Sequence, residues 1–189
     1  GGADLYRMEL ASRREEAVAK SRPDFSIAAY ALGRSFLLLL AADGKYGMNT
    51  DVDFYALDYE TLTVSPCAVY GEAIGSSVGS DIRHGGGRTM KMDGDVLYFI
   101  STRFDSASLY KLENGVVSPV TERGGSVDCF DRCGGKMLLC ALWDMRAQEL
   151  YDETGARITH FNDAALRGKY VARPETLTFT AEDHEVHGF

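Results

Sequence analysis

The residues best placed to do chemistry lie in "GSSVGSDIRHGGGR", Gly75 to Arg88. Gly75 to Gly79 satisfy G-x-S-x-G with Ser77 at the centre, and His84 to Gly87 spell the H-G-G-G loop that supplies oxyanion-stabilising amides in lipases and esterases. Together they would make an acyl-transfer site with Ser77 as nucleophile. Such a site needs a buried strand that turns sharply into a helix, so that the following backbone N–H groups help hold the oxyanion. After Ser77 comes "VGSDIRHGGGR", which has no helical period and three consecutive glycines. The order is also inverted, because the glycine loop of those enzymes precedes the serine. A turn-rich connection accounts for the stretch, with a compact serine hydrolase using Ser77 as the alternative.

The remaining reactive types do not converge in the sequence. His184 and His187 are three apart, which sends them to opposite faces of an extended strand and away from a shared metal. His160 sits in an alternating run and reads as half-buried. Cys129 and Cys133 could share a strand face, but no second Cys or His pair follows at zinc-ribbon spacing, so buried inert thiols are expected. Asp128, Asp131 and Asp144 lack the compact D-x-D-x-D loop of a calcium site. Trp143, Tyr98, Phe99 and Tyr110 read as core. No catalytic residue, cofactor or metal is expected.

The elements that would carry these residues are short strands. Twenty glycines against four prolines in 189 residues indicate many tight turns around one sizeable core. The net charge is −8 and "SRREE" is the nearest approach to a basic cluster, which argues against a nucleic-acid partner. "FLLLLAA", the longest apolar run, falls short of the roughly 20 residues that cross a bilayer. Four irregularly spaced cysteines fit a reducing cytoplasm better than a disulfide framework. The absence of an initiator Met and an end inside a strand-like alternation suggest a piece of a longer chain.

A repeat organises the strands. An aromatic or Leu followed by Tyr recurs at Leu5-Tyr6, Phe54-Tyr55, Leu109-Tyr110 and Leu150-Tyr151, at spacings of 49, 55 and 41. "YFISTRFDSASLYKL" overlays "LCALWDMRAQELYD" with the Leu-Tyr pairs in register, and both then reach a glycine turn, "ENG" and "ETG". Four strands per unit at this period are the mark of a β-propeller blade, whereas a β-sandwich does not require the Leu-Tyr pair to return in phase. The expected fold is all-β, a partial β-propeller of about three and a half four-stranded antiparallel blades. The blades fall near 25–69, 87–120 and 127–160, with a leading hairpin at 4–18, giving a propeller over 1–172 and a connecting segment over 173–189. Residues 11–20 fit a helical turn with a Ser12/Glu15 capping box nearly as well as a strand, and Asn162 to Gly168 fit a short capped helix ended by glycine.

On the Leu-Tyr strand starts, "SVGSDIRHGGGR", "LYFISTRFDSASLYKLENG" and the closing "RPETLTFTAEDHEVHGF", the chain resembles the propeller domain of the prolyl oligopeptidase family, particularly its acylaminoacyl-peptidase and dipeptidyl-peptidase-like members. The resemblance implies a non-catalytic domain that caps an α/β-hydrolase active site and admits short or unfolded peptides. Serine, aspartate and histidine of the triad would lie in the hydrolase domain, which would begin near Val186. None of them maps onto this sequence. The implied partners are that hydrolase domain and peptide substrates. A free-standing binding module is the alternative, since fold alone does not fix function. Uncovered blade faces would further favour a homo-oligomer.

Overall fold

The computed structural model describes residues 3–21, 24–45, 47, 50–75, 78, 86–173 and 175–188. Its strands are β1 (Leu5–Met8), β2 (Glu15–Ala19), β3 (Ser26–Leu32), β4 (Phe36–Ala42), β5 (Asp53–Asp58), β6 (Val64–Ala68), β7 (Ala73–Ile74), β8 (Met90–Asp93), β9 (Val96–Arg103), β10 (Ser106–Glu113), β11 (Val116–Pro119), β12 (Ser126–Cys133), β13 (Lys136–Leu142) and β14 (Glu149–Asp152). A single helical turn, α1 (Asp163–Leu166), precedes β15 (Leu177–Ala181) and β16 (His184–Gly188). No described helix is long and apolar enough to cross a membrane.

Contacts divide the chain into two units: one holds residues 1–74, 90–99 and 110–118, the other 75–89, 100–109 and 119–189. In the first, β3 to β6 form an antiparallel four-stranded sheet in chain order. Its centre is "FLLLLAA" of β4, where the period-2 alternation of a strand sends successive leucines to opposite faces. Leu38 and Leu40 pack with Phe54, Leu97, Phe99, Tyr110 and Leu112. Leu37 and Leu39 pack with Ala19, Ile27, Ala41 and Leu57, against which Leu5 and Val18 of the β1–β2 hairpin also lie. A continuous apolar run is what a strand covered on both sides requires.

Hydrogen bonding links β8 to β9 and β10 to β11, and places β10 beside both β9 and β12. The β10–β11 turn is Asn114–Gly115, with φ of 51° and 76° at the two central positions, as a two-residue hairpin loop of matching twist demands. Gly134–Gly135 closes β12 onto β13 in the same way, at 57° and 81°. In the second unit β12, β13 and β14 are antiparallel neighbours, and one parallel pair, Ala107 with Ser126, joins β10 to β12.

The Leu-Tyr repeat has a local physical basis. The Leu109 N–H donates to Thr121 Oγ1 while its carbonyl accepts from the Val120 N–H. Forty-one residues on, the Leu150 N–H donates to Thr159 Oγ1 and its carbonyl accepts from the Ile158 N–H. In each case a threonine hydroxyl past the turn takes over one rung of the ladder. Around β14 this substitution goes further, and a fourth strand shrinks to the isolated bridge Tyr151–Arg157.

Two local expectations resolve differently from a helix reading. Residues 15–19 are strand β2, and the Ser12 hydroxyl donates to Glu9 and accepts from the Arg14 N–H, so no capping box forms. The helix near 162–168 is confined to Asp163–Leu166 and lacks a side-chain cap. Asn162 is occupied elsewhere, its Nδ2 donating to the Gln148 carbonyl and to Glu149 Oε1.

Candidate functional site

Ser77 and His84 lie outside the described residues. Their described neighbours are anchored backbone: the Gly75 N–H donates to the Ile100 carbonyl, Thr102 Oγ1 donates to the Gly75 carbonyl, and the Phe130 N–H donates to the Arg88 carbonyl. From Gly86 the chain enters β8 without a helix.

The other candidates are separated. Asp128 is buried and hydrogen-bonded to Ser126 Oγ and Gln148 Nε2. Asp131 faces Arg88 at 3.6 Å and Asp144 pairs with Arg123. Among the described residues no three His, Cys, Asp or Glu side chains converge as metal ligands. Trp143 and Tyr151 are buried with ring centroids 4.6 Å apart, and the Arg123 guanidinium covers them at 4.9 and 5.7 Å. His160 is exposed at the surface and its Nδ1 donates to Asp163 Oδ2 at 3.0 Å. Cys129 stands opposite Cys140, and Cys133 opposite Lys136.

A buried polar cluster around Glu149 had no motif to announce it. Glu149 is only 1% exposed, yet its carboxylate accepts from Thr159 Oγ1, from the Phe161 and Asn162 N–H groups and from Asn162 Nδ2. Burial pushes this carboxyl up, but those four donors outweigh burial and hold it down at about 2. Asp163 is held at about 2 chiefly by the Arg157 fork at 2.6 and 3.0 Å, against the effect of burial, with help from His160 and Arg146. A carboxylate with its lone pairs committed cannot take a substrate proton. These residues fasten 157–163 to β14. The available sequence signal was parity: Glu149 shares a strand face with Tyr151, the core marker, and a charge on a core face must find partners.

The surface that offers most to a partner is the β15–β16 hairpin. Its register places Phe179 opposite Val186 and Leu177 opposite Gly188 on one face, with Thr178 opposite His187 and Thr180 opposite Glu185 on the other. Leu177, Phe179 and Val186 are all exposed, so an apolar face stands in solvent. His184 and His187 lie on opposite faces of β16. The His187 ring packs on exposed Phe104 at 4.6 Å, and its Nε2 meets Glu185 at 2.8 Å. Beside this contact is an open groove of about 550 Å³ lined by Phe104, Asp105, Thr176, Glu185, Val186 and His187. Shape and composition suit docking better than catalysis.

No protein-family model matches the sequence, and no curated protein is similar to it at the sequence level. Solved structures are similar in fold. Acylaminoacyl peptidase of Pyrococcus horikoshii aligns over 97% of this chain with a TM-score of 0.72 at 18% identity, the alignment taking up 27% of that protein. The β-propeller domain of the Trilobed protease from Pyrococcus furiosus, described as having an open velcro topology, aligns over 85% of this chain and 46% of its own, at a TM-score of 0.61 and 19% identity. Puromycin hydrolase aligns over 97% of this chain and 28% of its own, at 0.62 and 18%. The chain thus spans about a quarter of the length of the two full-length hydrolases. With sheets that are antiparallel apart from the β10–β12 pair, and with this likeness, the chain has the fold of a partial β-propeller, of the kind carried by acylaminoacyl peptidase and puromycin hydrolase.

Proposed function

We propose that this chain is the non-catalytic propeller part of a prolyl oligopeptidase-type serine peptidase, packing on an α/β-hydrolase domain and restricting which peptides reach it. The observation that carries the reading is the exposed apolar face of β15–β16, Leu177, Phe179 and Val186, on a chain with the propeller fold of peptide-bond hydrolases. The buried carboxylate Glu149 and its neighbour Asp163 are committed to structural partners, which supports a non-catalytic role for this part of the chain. Its four cysteines are free, which suits a reducing cytoplasm.

The test is an activity assay on the 189-residue chain with an activated ester and with N-acylated peptides. The expected result is no turnover above buffer, identical for the parent and Ser77→Ala. Ester turnover that vanishes in Ser77→Ala overturns the reading in favour of a compact hydrolase. Coding sequence that continues into a strand, a G-x-S-x-G turn and then Asp and His supports the parentage. Without such a continuation the same apolar hairpin makes the chain a stand-alone binding module.

A further inference from the structure

We infer that Cys129 and Cys140 form a redox-sensitive pair that closes to a cross-strand disulfide in the folded chain when the surroundings become oxidising. The two residues sit directly opposite one another in the β12–β13 ladder. Opposed residues of an antiparallel pair hold their Cα atoms about 4.5 to 5.5 Å apart, within the roughly 4.4 to 6.8 Å that a disulfide spans. The opposition follows from the Gly134–Gly135 turn, whose register runs unbroken from Cys133–Lys136 to Cys129–Cys140; the register shift between Val127 and Cys129 lies beyond the pair. The two thiols lie within hydrogen-bonding reach of one another, so the two sulfurs are already neighbours. Gly87 leaves the Cys129 side chain its space, since a Cβ there would fall 2.7 Å from Sγ.

The reaction needs an external two-electron acceptor, and a small disulfide such as oxidised glutathione suffices. Cys129 attacks as thiolate, breaks the small S–S bond and releases one small thiol. Cys140 then gives its proton to solvent and attacks the Cys129 sulfur of the mixed disulfide, expelling the second small thiol. Two protein thiols and one small disulfide become one protein disulfide and two small thiols. The electron pair passes to the small disulfide. Burial pushes both thiols up, Cys140 to about 11, so closure is slow near neutrality and speeds about tenfold per pH unit while the attacking thiol stays mostly protonated.

The experiment uses the 189-residue chain carrying Cys67→Ser and Cys133→Ser, which leaves only the pair. Incubation with oxidised glutathione at alkaline pH should remove both titratable thiols, lower the mass by two hydrogens with no glutathione attached, and raise the thermal midpoint by about 5 °C. Dithiothreitol should reverse all three. Thiols that stay free, or a glutathione adduct that persists without closing, overturn the inference. Peptide mapping of the oxidised unaltered chain decides independently of that variant's folding: a Cys129–Cys140 linkage supports it, and Cys129–Cys133 or an intermolecular bridge overturns it. The inference rests on ladder register, so it stands or falls apart from the peptidase reading.

Discussion

The sheet β3–β6 and the hairpin β15–β16 share the two-residue geometry of a strand, the first centred on a continuous apolar run and the second on an alternating one, and end in opposite circumstances. In β4, Leu37 to Leu40 are all nearly inaccessible because each face of the sheet has its own apolar partner set. In β15, every residue is exposed, Phe179 by 50%. Both segments pair fully along their backbones. Backbone pairing therefore fixes a strand, while apolar cover decides what the strand contributes. Burial of a leucine side chain is worth about 1.5–3 kcal/mol relative to exposure, and an uncovered phenylalanine contributes little until a partner arrives.

The sharpest way to break this contrast is to remove volume from the covered sheet. Leu39→Ala should destabilise the chain by about 3 kcal/mol in urea unfolding, since it deletes a fully buried side chain and leaves a cavity. A loss below about 1 kcal/mol would mean that the sheet is not packed on that face.

Gly125→Ala extends the test to a covered turn, where the added methyl would sit 2.4 Å from the Leu142 carbonyl oxygen at a φ of +105°. It should cost about 2 kcal/mol or more in the same assay.

Acid adds a polar version of the comparison between the buried carboxylate and the hairpin. Glu149 has an ordinary value of 4.5 and a folded value of about 2. A depressed carboxyl stabilises the fold above its unfolded value, and that contribution fades as pH falls from about 4.5 towards 2. Glu149→Gln should lower stability at pH 7 by about 2 kcal/mol and flatten the acid limb of the stability profile, read by chemical unfolding across pH 2–7. An acid limb unchanged in the variant would show that Glu149 is not the group responsible.

The smallest change belongs to the uncovered hairpin. The triple variant Leu177→Ser, Phe179→Ser, Val186→Ser should shift stability by less than about 0.5 kcal/mol per site while reducing any self-association seen by sedimentation. A large loss of stability would mean that this face is covered within the chain itself.

Much of this was legible in the residues. The Leu-Tyr phase located Tyr110 and Tyr151, both of which are buried, and Asn114–Gly115 announced its turn because only a few residues tolerate two successive positive φ angles. The helix at Asn162 was half legible: "NDAALRG" does turn once, but Asn162 spends its amide on Gln148 and Glu149 and the turn ends at Leu166. Residues 11–20 fit a helical turn nearly as well as a strand, and packing of Val18 and Ala19 against the β3–β6 core goes with strand at 15–19. Parity alone pointed to Glu149. It could not supply the donors, which come from ten to thirteen residues further on.

The sequence by itself determined the two-residue alternation, the turn types and the recurring strand starts, because each depends on steric preferences within a few residues. Only the tertiary structure decided that Cys129 meets Cys140 instead of sharing a site with Cys133, and that β4 is covered on both faces while β15 is covered on neither. Cover is set by segments distant in the chain, register needs the paired strand, and one extra residue at Asp128 shifts which β13 residues Val127 and Ser126 meet.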